Sequence, residues 1–166
     1  MLKIGEKYVY GSSGVMELVE ISEMTSLGVT REYYVFKPRG ASSTSFTYLP
    51  TDSEKLLSDI RPLLTKKEVL SIIKEAKSKP DAEWIEDSRT RNERFKKIIS
   101  SGDRTEIIGM INMIYKEGKK RSKDGKKNYI SDENAMRKAE RLVYSEFAEA
   151  LGISESEVPD FIMNLK

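Results

Sequence analysis

The chain predicts an α+β fold, with its strands first and its helices after. Three observations carry this. The first fifty residues hold short apolar and aromatic runs, broken by Gly, Pro and Ser, with no helical spacing between them. From about residue 65 the apolar residues recur three and four apart. Strands gathered before helices favour α+β or two modules over a βαβ arrangement. The change falls around Arg61-Pro62, which predicts a small antiparallel β module over 1–62 and an all-α module over 63–166.

The β elements follow in order. Lys7-Tyr8-Val9-Tyr10 reads as a strand ended by the turn Gly11-Ser12-Ser13-Gly14. Val15 to Ile21 alternates imperfectly, and Gly28 marks the next turn. Arg31 to Lys37 is the clearest strand, rich in aromatic and β-branched residues. Pro38-Arg39-Gly40 and the Ser-rich stretch 42–45 make a loop. Phe46-Thr47-Tyr48-Leu49 is a short strand closed by Pro50. Strands this short and this close predict a curled sheet or barrel.

Thr65 opens the first helix, with Glu68 three residues on as a capping box. Val69, Ile72, Ile73 and Ala76 share its inner face, and Pro80 breaks it. A second helix spans about Asp87 to Ile99, with Phe95, Ile98 and Ile99 inward, and Ser101-Gly102 stops it. Asp103 caps a third, with Ile107, Met110, Ile111, Ile114 and Tyr115 inward. Residues 116–127 are dense in Lys and Arg with two Gly, and read as a basic loop. Ser131 opens a long helix with Ala135, Ala139, Leu142, Val143, Phe147 and Leu151 inward, ended by Gly152. Ser154 and Glu157 box a short last helix, interrupted near Pro159.

Composition narrows the chemistry. The 166 residues are 34% charged and 38% hydrophobic, enough for a core in a water-exposed protein. Cysteine and histidine are both absent. That removes disulfides, thiolate nucleophiles, Ser-His-Asp and Cys-His machinery, and His- or Cys-ligated metal. No P-loop, dinucleotide fingerprint or EF-hand loop is present. The expectation is no enzyme, no metal, no cofactor and no small-molecule substrate. With no membrane-length apolar run and no signal-peptide pattern at its start, the chain is expected in the cytoplasm.

Charge is unevenly spread. Residues 1–64 hold 7 Lys and Arg against 8 Asp and Glu, residues 65–130 hold 18 against 11, and residues 131–166 hold 4 against 8. The middle is a basic block, which suits a polyanion. The lone tryptophan, Trp84, stands just ahead of a basic run, Arg89 to Lys97. Two readings stay open there. A single Trp is commonly a partly buried core residue with its indole N–H satisfied. A rigid ring flanked by cations also suits insertion at a DNA step, with the charges on phosphate.

Several segments together resemble the CarD/CdnL-type bacterial transcription regulators. Leu2-Lys3-Ile4-Gly5-Glu6-Lys7-Tyr8-Val9-Tyr10 is similar to the family's opening, a hydrophobic-x-hydrophobic-Gly-Asp-x-Val-Val-Tyr pattern. Gly14-Val15, Glu32-Tyr33-Tyr34-Val35-Phe36, Leu49-Pro50 and Ile60-Arg61 fall where the family has its corresponding pieces. Trp84 with basic residues downstream, then Ser101-Gly102-Asp103 opening a helix, resembles the family's Trp…Arg…Ser-Gly-Asp order. Ser131 and the helix through Glu140–Glu146 resemble its last long helix.

The resemblance implies a Tudor-like β module that binds the β subunit of bacterial RNA polymerase. It also implies a helical domain that touches promoter DNA at the upstream edge of the melted bubble. There a tryptophan wedges into the minor groove and stabilises the open complex. Trp84 matches that tryptophan, with Arg89, Arg91, Arg94, Lys96 and Lys97 as the cations beside it. The polymerase contact is expected through Met24 and the strand Phe46, Thr47, Tyr48 and Leu49. Two family arginines that contact polymerase align near Met24 and Tyr48, so the contact here is expected to be more apolar and less salt-sensitive. The other reading is a protein-binding adaptor without DNA contact. The chain is expected to be a monomer, associated with the nucleoid through polymerase.

Overall fold

The computed structural model describes residues 1–11, 13–40, 42 and 44–166. The predicted turn at 11–14 and the Ser-rich loop at 42–45 each include a residue outside these. The chain divides into two compact units, Met1–Leu63 and Leu64–Lys166.

The first unit is a five-stranded antiparallel sheet in the order β4-β3-β2-β1-β5. β1 is Lys7–Tyr10, β2 Gly14–Ser26, β3 Val29–Pro38, β4 Thr47–Pro50 and β5 Ile60–Pro62, with a one-turn helix α1 at Glu54–Leu57 before β5. β2 and β3 run further than their alternation suggested, as a hairpin turned at Leu27 and Gly28. Both turn residues have positive φ, 51° and 77°, the geometry a two-residue hairpin loop needs. A bulge between Leu18 and Glu20 interrupts the pairing of β2 with β3, and such an extra residue bends and twists a strand. Met16, Leu18, Tyr34, Phe36 and Leu49 fill the core, with Tyr8 edge-on to Phe36 at 6.3 Å. β5 and α1 were not legible in the sequence. Three residues carry no period, and Ile60–Pro62 is a strand only because it pairs with β1.

The second unit is helical. α2 is Lys66–Ser78, α3 Ser88–Ser101, α4 Arg104–Lys123, α5 Ile130–Leu151 and α6 Val158–Asn164, with a 3-10 turn at Glu155–Glu157. Thr65 and Glu68 form the reciprocal capping box, and Asp87 and Asp103 cap α3 and α4 through the N–H of Thr90 and Glu106. Gly102 ends α3 in the left-handed conformation at φ 68°. Val69, Ile73, Phe95, Ile107, Met110 and Phe147 are central to one core.

Several expectations are corrected here. The basic stretch 116–127 is not a loop: α4 continues to Lys123. Lys and Arg are good helix formers, and Lys120, Arg121 and Lys123 in the last turn complement the helix dipole. Gly118 has a packing role within it, because an added Cβ there would lie 3.1 Å from the Asn128 amide. Tyr115, expected inward, is exposed with the Lys119 ammonium 4.8 Å over its ring. Pro159 does not interrupt the last helix but sits in the first turn of α6, where its missing N–H costs nothing. The long helix also starts one residue early, at Ile130, with Tyr129 as its N-cap.

Two ion pairs are buried in this unit. Arg104 Nε donates to Glu146 Oε2 at 2.9 Å, and Glu146 Oε1 accepts the backbone N–H of Leu64. Arg91 pairs with Asp132 through both Nε and a terminal nitrogen, at 3.0 and 3.1 Å.

Candidate functional site

On the sheet, β4 is an edge strand with β3 on one side only. Its outer backbone is therefore placed for pairing with another strand. The register brings Met24 and Tyr48 together on one face. Met24 lies opposite Arg31, Tyr48 opposite Val35, and Arg31, Tyr33 and Val35 share a face of β3. Met24, Phe46 and Tyr48 are exposed. Leu49 does not belong with them. Alternation turns it to the other face, where it is 5% exposed and packed in the core. Thr47 shares that inner face and is half-buried. A partner strand would reach both through their backbone.

In the helical unit, Trp84 sits in the irregular segment between α2 and α3. It is half-buried, with part of its surface against the helical core. Both ends of its segment are tied down. Asp81 accepts from Asn112 Nδ2 and Lys116 Nζ of α4. The carbonyls of Ile85 and Glu86 accept from one terminal nitrogen of Arg91, at 2.7 and 3.0 Å. Asp87 is occupied by capping α3. Hydrogen bonds from the Thr90 hydroxyl and N–H hold its carboxyl below the ordinary range.

Arg91 is the main correction among the expected DNA contacts. It is completely buried, and its guanidinium is spent on Asp132 and on the two carbonyls beside Trp84. It cannot reach a phosphate from there. The ridge expected through Arg91, Arg94 and Lys97 therefore does not form. α3 buries Arg91, Phe95 and Ile98, and turns Arg89, Lys96 and Lys97 outward. Arg89 and Lys96 are two turns apart on that face, with Glu93 between them and 3.5 Å from Arg89 Nε. Arg94 is exposed at the flank, 4.0 Å from Glu106.

The sequence did not connect Trp84 to the basic end of α4. The structure does, through stacked groups. The Arg91 guanidinium carbon lies 4.5 Å from the Trp84 ring centroid and 5.2 Å from that of Tyr129, and Arg121 lies 4.1 Å from Tyr129. Arg121 also donates to the Lys127 carbonyl through two nitrogens. The series Trp84–Arg91–Tyr129–Arg121 thus spans the start of α3, the N-cap of α5 and the end of α4. Lys119, Lys120 and Lys123 are exposed on the last turns of α4. No motif announces such a series, since its members are 7, 38 and 8 residues apart in the chain.

Among the described residues no group of three or more carboxylates gathers where a metal ion could be held. Among them, too, no helix is long and apolar enough to cross a membrane.

No curated protein matches the chain. Residues 2–63 match the family model described as the CarD-like/TRCF RID domain, which covers the five-stranded unit almost from end to end. The first unit is therefore similar to a CarD-like/TRCF RID domain, and the helical unit lies outside the match.

Proposed function

We propose that this protein is a non-enzymatic transcription regulator that binds the β subunit of bacterial RNA polymerase and steadies the promoter open complex. The family match over 2–63 is the observation that carries the reading. The edge strand β4, with exposed Tyr48 and Met24 on one face, supports a contact by strand addition with an apolar side-chain component.

The helical unit supplies the DNA contact. Melting costs unstacking energy of a few kcal/mol per step. A protein that prefers the unstacked fork shifts the equilibrium by that difference in affinity. Trp84, on a segment tied at both ends, is a rigid aromatic wedge of the required kind. Arg89, Lys96 and Lys97 on the outer face of α3, with Arg94 at its flank, supply sequence-independent attraction to phosphate. Arg91 acts inside the unit and not on DNA. Tethering through the sheet raises the local concentration of the helical unit, so weak DNA contact suffices. The protein works as a monomer in the cytoplasm, next to the nucleoid through polymerase.

The test has two arms. Purified β subunit should be retained by the full chain and released by Tyr48→Ala. Trp84→Ala should shorten open-complex lifetime on a weak promoter while leaving β-subunit binding unchanged. An unchanged lifetime would leave a polymerase-binding adaptor without DNA contact.

A further inference from the structure

We infer that Arg91 is the positioning residue of Trp84: a buried guanidinium that sets the angle of the indole and holds it ready for an unstacked DNA step. The inference rests on the wedge reading for its purpose, but its geometry stands by itself.

Three contacts converge on one planar group. The Nε edge and one terminal nitrogen form a fork on the Asp132 carboxylate, at 3.0 and 3.1 Å. The other terminal nitrogen donates to the carbonyls of Ile85 and Glu86, the two residues that follow Trp84. The Trp84 ring lies within cation–π range at 4.5 Å, with Tyr129 second at 5.2 Å. Asp132 stands at the start of α5, so the backbone after Trp84 is referred to a long, well-packed helix. Only arginine has this shape. Its rigid fork bonds a carboxylate while other donors of the same plane bond elsewhere, which a lysine ammonium cannot reproduce.

The arrangement matters for a wedge because an indole free to rotate would lose that freedom on binding and weaken the contact by the same amount. With its backbone tied and a cation stacked on it, Trp84 is ordered before DNA arrives. Arg121 on Tyr129 extends the series, so the lysines at the end of α4 are referred to the same frame.

Trp84 is the only tryptophan in the chain, so its fluorescence reports this ring alone. The variants are Arg91→Lys, which keeps the charge opposite Asp132 but loses the fork, and Arg91→Met with Asp132→Asn, which removes both buried charges together and is read in the same way if the lysine variant does not fold. In full-length protein with unchanged helical circular dichroism, the emission should move to longer wavelength. Acrylamide quenching and ring mobility by anisotropy should rise. Affinity for a forked duplex should fall about tenfold, within what one base–aromatic stack carries. Arg91→Lys combined with Trp84→Ala should bind the fork no more weakly than Trp84→Ala alone. Unchanged emission and quenching in the folded variants would overturn the inference. So would a further, additive loss in the double variant, which would mark Arg91 as acting apart from the ring. If Trp84→Ala itself leaves fork binding unchanged, the wedge reading fails, while the fluorescence arm still decides whether Arg91 positions the ring.

Discussion

Glu146→Gln is expected to be strongly destabilising in the helical unit although it is nearly isosteric. The glutamine keeps the volume and an oxygen for the Leu64 N–H, which Glu146 accepts at 3.1 Å. What it removes is the charge opposite Arg104, at 2.9 Å and with side chains only 4% and 0% exposed. Arg104 also donates to the Gly102 carbonyl at 2.8 Å, so the guanidinium cannot swing to water without breaking its bond to the cap of α3. A buried cation left without its counter-ion costs about 3–5 kcal/mol. At a urea slope of about 2 kcal/mol/M the midpoint should fall by roughly 2 M. Arg104→Met with Glu146→Gln removes both charges and keeps the Leu64 bond. It should return to within about 1 kcal/mol of the parent, because desolvation of the pair nearly cancels its attraction. The assay is urea unfolding of the full chain followed by Trp84 fluorescence, which reads the helical unit alone. A single-variant loss below about 1 kcal/mol, or a double variant as unstable as the single, would refute the reasoning about the buried charge.

On the sheet, Leu49→Ala should cost the first unit about 2–5 kcal/mol by leaving a cavity, seen in its thermal melt, while Tyr48→Ala leaves stability unchanged and weakens β-subunit binding. Charge reversal at Lys96 or Lys97 should weaken binding to promoter-fork DNA and make log K fall less steeply with log salt, by about 1 for each phosphate no longer neutralised; an unchanged slope would remove that lysine from the interface. The Tyr144 phenol is pushed up to about 12 by burial, with the neighbouring Glu140 carboxylate adding to it. Its folded value lies above its unfolded one, so its contribution is complete below pH 10 and is lost as pH rises from 10 through 12. Absorbance at alkaline pH should show late-titrating tyrosine in the folded protein, with Tyr144 the latest, and no such delay in urea.

Local chemistry determined the outline of this protein. Thr65 with Glu68, Asp87, Asp103, Gly102 and Gly152 start or stop helices through bonds to their own neighbours, and those positions were legible from residue type and spacing. The same holds for Lys7–Tyr10 and the aromatic strand that includes Arg31 to Lys37. Their aromatic and β-branched residues favour a strand. The Trp84 neighbourhood was legible as a candidate because composition alone sets one rigid ring before a run of cations.

Tertiary structure decided the rest, wherever the outcome depends on residues far apart in the chain. β5 exists through its pairing with β1, some fifty residues earlier. Leu49 and Tyr48 are neighbours with opposite fates, because the register with β3 assigns them to opposite faces of the sheet. Arg91 looks in the sequence like one more surface cation. The carboxylate that lets it be buried is Asp132, 41 residues on. A charge leaves water only where such a partner and further hydrogen-bond acceptors wait for it. Here the acceptors are the carbonyls beside Trp84. That one buried guanidinium ties the backbone beside Trp84 to the start of α5, and only the packing of α3 against α5 could bring the two together.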